Sequence, residues 1–207
     1  MSNTDRRTYN SDYRRTRAEE TRKQIRTAAM ELFTTKGIQK VTIQEIAQAA
    51  SVSASSIYGL FKSKMGILRE LLDEALSSEQ FNKLVAEARE SKSAARCLEI
   101  SAKIGRQIYD AEKELLGLLN AAAALDKEFL DIVKDREERR YQRQKETVEA
   151  LASEGVLCPD LTVGEARDVL WAYTGRDMYR LMVIERGWSS DRFEKWLSEQ
   201  LKHALLG

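Results

Sequence analysis

Val52–Lys64, VSASSIYGLFKSK, sets Ser53, Ala54, Ser55 and Ser56 just ahead of Tyr58, Lys62 and Lys64. A helix with so small and neutral a face can bring its backbone close to another surface. Serine hydroxyls both donate and accept, so they suit several base edges in a DNA major groove with little selectivity each, and an alanine can touch a thymine methyl. Tyr58 carries a phenol that can reach a phosphate. If Ser63 caps the next helix, Lys64 falls in its first turn, where the helix dipole disfavours a cation by ~0.3–1 kcal/mol. A phosphate placed there would turn that penalty into a binding site of free N–H groups and an ammonium. Thr42 offers a further hydroxyl upstream. A plainer alternative stands beside this: Tyr58 packs inside, Lys64 is solvated and Thr42 only caps a helix. The set as a whole, on one short motif, favours DNA.

The elements that must hold these residues are all helical. Ile25, Ala28, Ala29, Leu32 and Phe33 follow the spacing of a core-facing helix, predicted from about Glu20 to Lys36 and ended by Gly37. Thr42-Ile-Gln-Glu45 forms a capping box that opens a short helix through Ile46, Ala47 and Ala50. Residues 50–52 make a tight turn, and Ser53 caps a third helix holding Ile57, Tyr58 and Phe61. Two short helices joined by such a turn, packed on a longer one, form a helix-turn-helix whose second helix enters the major groove. Ser63 caps a fourth helix through Ile67, Leu68, Leu71 and Leu72. Further helices are predicted over 79–90, 93–111, 113–124, 126–153, 162–185 and 190–205, with a second capping box at Thr162–Glu165. The chain reads as all-α with about nine helices.

Charge divides along the chain. The formal net charge is +1, yet residues 1–69 balance to +7 and residues 70–207 to −6. A basic front and an acidic back suggest a polyanion-binding module joined to one that leaves the polyanion alone. Residues 1–19, with Arg6, Arg7, Arg14, Arg15 and Arg17 and no apolar periodicity, read as a flexible basic arm; arms of this kind enter the minor groove elsewhere. The organisation expected is therefore arm 1–19, DNA-binding domain 20–75 and a second domain 76–207.

Other classes of function find little support. His203 is the only histidine and has no partner at metal spacing. No phosphate loop, nucleophile elbow or HExxH motif occurs, so neither catalysis, a metal nor a cofactor is expected. No apolar run approaches the ~20 residues of a membrane helix. Cys97 and Cys158 read as packing thiols in a reduced, cytoplasmic setting.

The stretch Ile25–Leu68 resembles the N-terminal domain of the TetR family of transcriptional regulators. The landmarks are Ala-x-x-Leu-Phe-x-x-x-Gly, Thr-x-x-x-Ile-Ala and Val-Ser-x-x-x-Ile-Tyr-x-x-Phe-x-x-Lys. The resemblance implies DNA contacts at Thr42, Ser53, Ser55, Ser56, Tyr58 and Lys64. It departs from the family at Ala54, Ser55 and Met65-Gly66, which bears on the target sequence. It also implies that the back domain binds a small-molecule effector and pairs with a second copy through the last two helices, giving a homodimer on a palindromic operator. In an alternative, the same DNA-binding dimer uses its back domain for a protein partner or for no ligand. Val169, Leu170, Tyr173, Met178, Leu181 and Met182 line the candidate pairing face, with Trp188, Phe193, Trp196, Leu197 and Leu201 after Gly187; an internal core would use the same residues. No effector residue is assigned. Arg136, Arg139, Arg140, Tyr141 and Arg143 read as a solvated face, and Tyr109, Asn120, Tyr173 and Arg176 as residues able to line a pocket.

Overall fold

The computed structural model describes residues 3–91, 93–115 and 127–207, with residues 3–14 and Ala75 described by backbone alone. The elements are α1 (Asn3–Lys36), α2 (Ile43–Ala49), α3 (Ala54–Phe61), α4 (Lys64–Ser77), α5 (Glu79–Glu90), α6 (Ala94–Ala111), α7 (Lys127–Arg143), α8 (Lys145–Ser153), α9 (Val163–Tyr173), α10 (Arg176–Tyr179), a π-helical stretch Arg180–Glu185 and α11 (Ser190–Leu205). Among the described residues there is no strand beyond one isolated bridge, Leu157 to Leu206, so the fold is all-α. The helix predicted over 113–124, Asn120 included, lies outside the described residues apart from its first turn. The chain divides into two compact units, Met1–Leu72 and Asp73–Gly207.

In the first unit, α1 buries Ile25, Ala28, Ala29 and Phe33, as its spacing predicts. Around them close Ile46 of α2, Ile57 and Phe61 of α3, and Ile67, Leu68 and Leu72 of α4. Each such aliphatic or aromatic side chain contributes about 1.5–3 kcal/mol by leaving water. Gly37, at φ +82°, ends the apolar helix in the left-handed region that costs glycine nothing. The helix expected from about Glu20 begins instead at Asn3. Residues 3–19 contain neither Gly nor Pro, and an all-polar stretch without a core-facing stripe can still be helical when joined to a nucleated helix.

The second unit is built on α6 and α11. Leu98, Ala102, Ile108 and Tyr109 of α6 meet Phe193, Leu197, Leu201 and Leu205 of α11, with Val148, Leu151, Ala166 and Leu170 closing the sides. Leu170, Phe193, Leu197 and Leu201 therefore belong to the internal core. Leu181 is exposed, and Val169, Tyr173, Met178, Met182 and Trp196 are half-buried against that core. Tyr179 lies between Tyr109, tilted at 5.6 Å, and Phe193, edge-to-face at 5.4 Å, and its hydroxyl donates to Asp110. Burial pushes the Asp110 carboxyl up, but hydrogen bonds from Ser190, Tyr179 and Arg106 outweigh it and hold the group below its usual range.

Two long helices expected from the sequence are interrupted. The 126–153 helix breaks at Gln144. The 162–185 helix breaks at Thr174-Gly175, where Gly175 is extended (φ −75°, ψ 153°). Thr174 back-bonds to the Leu170 carbonyl at 2.6 Å, which competes with the ladder, and a Cβ at Gly175 would stand 3.0 Å from the Ala172 oxygen. Phe193→Ala should lower stability by about 3–5 kcal/mol, measured by urea unfolding of the full chain; a loss below about 1 kcal/mol would contradict the α6–α11 core.

Candidate nucleic-acid interface and ligand cavity

The α2–α3 pair is set by its caps. Thr42 Oγ1 accepts from Glu45 N at 3.2 Å, and Glu45 Oε2 accepts from Thr42 N at 2.9 Å, the reciprocal box read from the sequence. The Glu45 carboxylate also takes Lys36 Nζ at 2.8 Å. Lys36 and Thr42 together pull its pKa down to about 2. The turn after α2 closes with Ser51 N–H to Gln48 O and Val52 N–H to Ala47 O at 3.2 and 2.9 Å, with Ser51 at φ +54°. Ser53 then caps α3 by accepting from Ser56 N at 3.1 Å.

With Ile57 and Phe61 turned inward, the outer stripe of α3 is Ser55, Tyr58 and Gly59, all exposed. Tyr58 keeps 49% of its surface in solvent, so the packed alternative for this residue does not hold. The serine hydroxyls form a cluster: Ser53 Oγ lies 2.8 Å from both Ser55 Oγ and Ser56 Oγ. Thr42 is exposed, but its hydroxyl is engaged in the box, donating to Glu45 Oε2 at 3.0 Å.

Lys64 differs from its sequence reading. Ser63 does cap α4, its hydroxyl accepting from Gly66 N at 3.1 Å. The Lys64 ammonium, however, turns back into the unit and donates to Ile38 O, Gln39 O and Val41 O at 2.8, 3.3 and 2.9 Å. A lysine ammonium has three hydrogens, and the α1–α2 turn offers it three carbonyl acceptors. The physical reason is the turn itself, whose carbonyls belong to no helix and need a donor. Lys64 thus positions the turn that precedes Thr42. Gly66 fits the same joint, since its Cα lies so close to the Phe61 carbonyl that a Cβ has no room.

The sequence reading passed over Arg22. It bonds Glu70 of α4, lies 5.4 Å over the Phe61 ring and reaches Leu60 O at 3.4 Å, tying α1 to the end of α3. Its only signal was a cation one turn before Ile25 and Arg26 in the apolar helix. Lys40, two residues before Thr42, and Lys62, just after α3, are exposed cations beside the motif.

The second unit contains a cavity of about 350 Å³ walled by α5, α6, α7 and α8. Tyr109, Arg140 and Arg143 line it, whereas Tyr173 and Arg176 do not. The solvated-face reading is therefore corrected for Arg136 and Arg140, whose side chains are only 16% and 13% exposed; Arg143 borders the cavity and remains exposed. Positions 140, 143, 144 and 147 recur at i, i+3, i+4 and i+7, and this polar stripe borders the cavity, half-buried except at the exposed Arg143. Tyr109 is buried, donates to Thr174 O at 3.1 Å, and has its phenol pushed far up by burial. Glu112 is buried beside Arg136; burial outweighs that partner and raises its carboxyl to about 7. Among the described residues no group of His, Cys, Asp and Glu could hold a metal ion, and no helix is long and apolar enough to cross a membrane.

Lys64→Ala strips the turn of its donor. It should cost about 1–3 kcal/mol, the range for leaving a buried polar group without its partner, read as reduced hydrogen-exchange protection of residues 1–72. Unchanged protection in that unit would return Lys64 to a phosphate-contacting role.

The model described as bacterial regulatory proteins of the tetR family matches residues 25–71, the stretch holding the caps, the turn and α3. The HTH-type transcriptional regulator TtgR of Pseudomonas putida is 31% identical over 181 residues, covering 81% of this chain and 82% of that protein. Among solved structures, NalD, the secondary repressor of the MexAB-OprM multidrug efflux pump in Pseudomonas aeruginosa, superposes with a TM-score of 0.73 at 22% identity, over 92% of this chain and 98% of that one. A transcriptional regulator from Saccharomonospora viridis in complex with choline gives 0.69 at 23%, over 91% and 99%. The two structures share the fold; the likeness to TtgR runs along most of both chains and includes the helix-turn-helix. The chain belongs to the TetR family: it is a DNA-binding transcriptional regulator and not an enzyme.

Proposed function

We propose that this regulator is a repressor that binds a palindromic operator as a homodimer and leaves it when a small molecule fills the cavity of the second unit. The observation that carries the reading is the outer face of α3, where Ser55, Tyr58 and Gly59 stand exposed on a helix fixed by its caps. On this reading α3 enters the major groove, with Ser53, Ser55 and Ser56 near base edges and Tyr58 on a phosphate. Thr42 sits at the backbone approach of α2, and Lys64 acts from behind by holding the α1–α2 turn. Lys40 and Lys62 add exposed positive charge next to these positions.

Pairing of two copies through residues 162–185 and 190–205 draws support from Val163, Trp171, Leu181 and Ile184, large apolar side chains each at least 36% exposed on the first of those segments. A two-fold pair sets two α3 helices against two half-sites about one DNA turn apart or slightly more. The domain boundary near residue 75 and a cytoplasmic location belong to the same proposal. Release by a ligand draws support from the cavity, whose volume falls within the ~300–1,000 Å³ of small-molecule sites, and from the choline complex of the Saccharomonospora viridis protein.

Binding to duplexes selected from random sequence should weaken steeply between about 50 and 200 mM salt, because phosphate contacts dominate affinity. Tyr58→Phe should weaken all duplexes alike, while Ser55→Ala should change base preference; affinity indifferent to salt would refute the DNA surface. Sedimentation of the free chain at micromolar concentration should give a dimer, and Leu181→Glu should give a monomer. A monomeric parent chain would remove the pairing face.

A further inference from the structure

The cavity has two chemically different walls. From α5 and α6 it receives Phe81, Ile104 and Ile108; from α7 and the start of α8 it receives Arg140, Arg143 and Gln144. The charges on the polar wall are not equally committed. Arg140 is paired with Glu137 and also donates to Trp171 O at 2.7 Å and Thr174 Oγ1 at 2.9 Å. Arg89 and Glu146, both at the rim, lie 3.8 Å apart.

Arg143 stands apart. Among the described residues no carboxylate pairs with its guanidinium and no acceptor takes its hydrogens. Partial burial first, then Arg139, Arg136 and Arg140, all of its own sign, lower its pKa, with Tyr109 acting the other way; the side chain nonetheless stays exposed at the cavity, whose lining also includes Glu146. Beside it Gln144 gives Nε2 to Thr174 Oγ1 at 2.7 Å, while its buried Oε1 has no partner. Among the described residues the α7–α8 wall of the cavity therefore holds a cation without a paired carboxylate and an unmet acceptor, while the α5–α6 wall is mainly apolar.

We infer that the cavity takes an amphipathic organic anion, its hydrophobic body against α5 and α6 and its carboxylate or equivalent acidic group on Arg143. This rests on the reading of the cavity as the effector site and names the effector's chemical class. An anion relieves the repulsion among the arginines and can be held bidentately by the guanidinium fork. A neutral molecule leaves Arg143 partly desolvated without a counter-charge, and a cation adds a further like charge. Arg140, already fixed by Glu137 and Thr174, serves as the scaffold of that wall.

The test is calorimetric titration of the full chain at pH 7 with three probes that share one hydrocarbon tail: decanoate, decanol and decyltrimethylammonium. Decanoate, ionised at this pH, should bind at least about tenfold more tightly than decanol, and the ammonium most weakly. Arg143→Ala should weaken decanoate by about tenfold or more and leave decanol within about twofold. Arg143→Lys should restore part of the loss, because it keeps the charge and forfeits the fork. Ile104→Trp, which fills the apolar end, should abolish binding of all three and so place them in this cavity. Decanol or the ammonium binding as tightly as decanoate, or Arg143→Ala binding decanoate unchanged, overturns the anionic assignment while leaving an effector site intact. Absence of binding by any of the three removes the anionic assignment and the ligand-release reading together.

Discussion

Backbone carbonyls without a helical partner are the constraint around which the first unit is arranged. Between Gly37 and Thr42 the chain reverses direction, and the oxygens of Ile38, Gln39 and Val41 point away from any ladder. Half-buried carbonyls left bare cost about as much as a lost hydrogen bond. The Lys64 ammonium meets all three, although it sits in the first turn of α4, where a cation is otherwise unwelcome. That single group joins the start of α4 to the entry of α2. Arg22 makes the complementary tie from α1 to the end of α3. With both ends held, α3 has a fixed orientation, and a surface ordered in advance has a lower ordering cost on binding.

The second unit solves a similar problem at Thr174. A helix that ran unbroken from Val163 would satisfy its own carbonyls. Because it stops at Thr174-Gly175, Trp171 O and Thr174 O need outside donors, and Arg140 and Tyr109 supply them. Thr174 Oγ1 accepts from Arg140 and Gln144 and donates to Leu170 O. This one buried hydroxyl thus links α7, α9 and the junction before α8. The break recruits Arg140 and Gln144 inward, and the same turn of α7 carries Arg143 to the cavity. The chemistry of the pocket wall is a consequence of where a helix ends.

Local rules made the first unit readable. The apolar stripe Ile25–Phe33, the Thr42–Glu45 box, Ser53 as a cap and Gly37 as a stop each rest on interactions within a few residues, and each appears in the structure. Readings that depended on what lies far off in sequence fared differently. Lys64 finds its partners more than twenty residues upstream, at a turn whose bare carbonyls no spacing rule announces. Arg140 and Arg143 look like any charged helical face until α5 and α6 are packed opposite. Periodicity could not divide residues 169–201 between an inner core and an outer face, because both demand the same stripe; burial places Leu170, Phe193, Leu197 and Leu201 inside and leaves Leu181 outside.

The sequence by itself determined the all-α class, the helix-turn-helix and the start of its second helix at Ser53, since caps, turns and amphipathic spacing act over one or two helical turns. Only the tertiary structure decided that Tyr58 faces outward while Lys64 faces inward, and that the arginines of α7 border a cavity. The reason is reach: a lysine or arginine side chain can serve a phosphate, a carboxylate or a stray carbonyl equally well. Which of these it meets depends on what the fold brings within hydrogen-bonding distance, and a linear chain does not contain that distance.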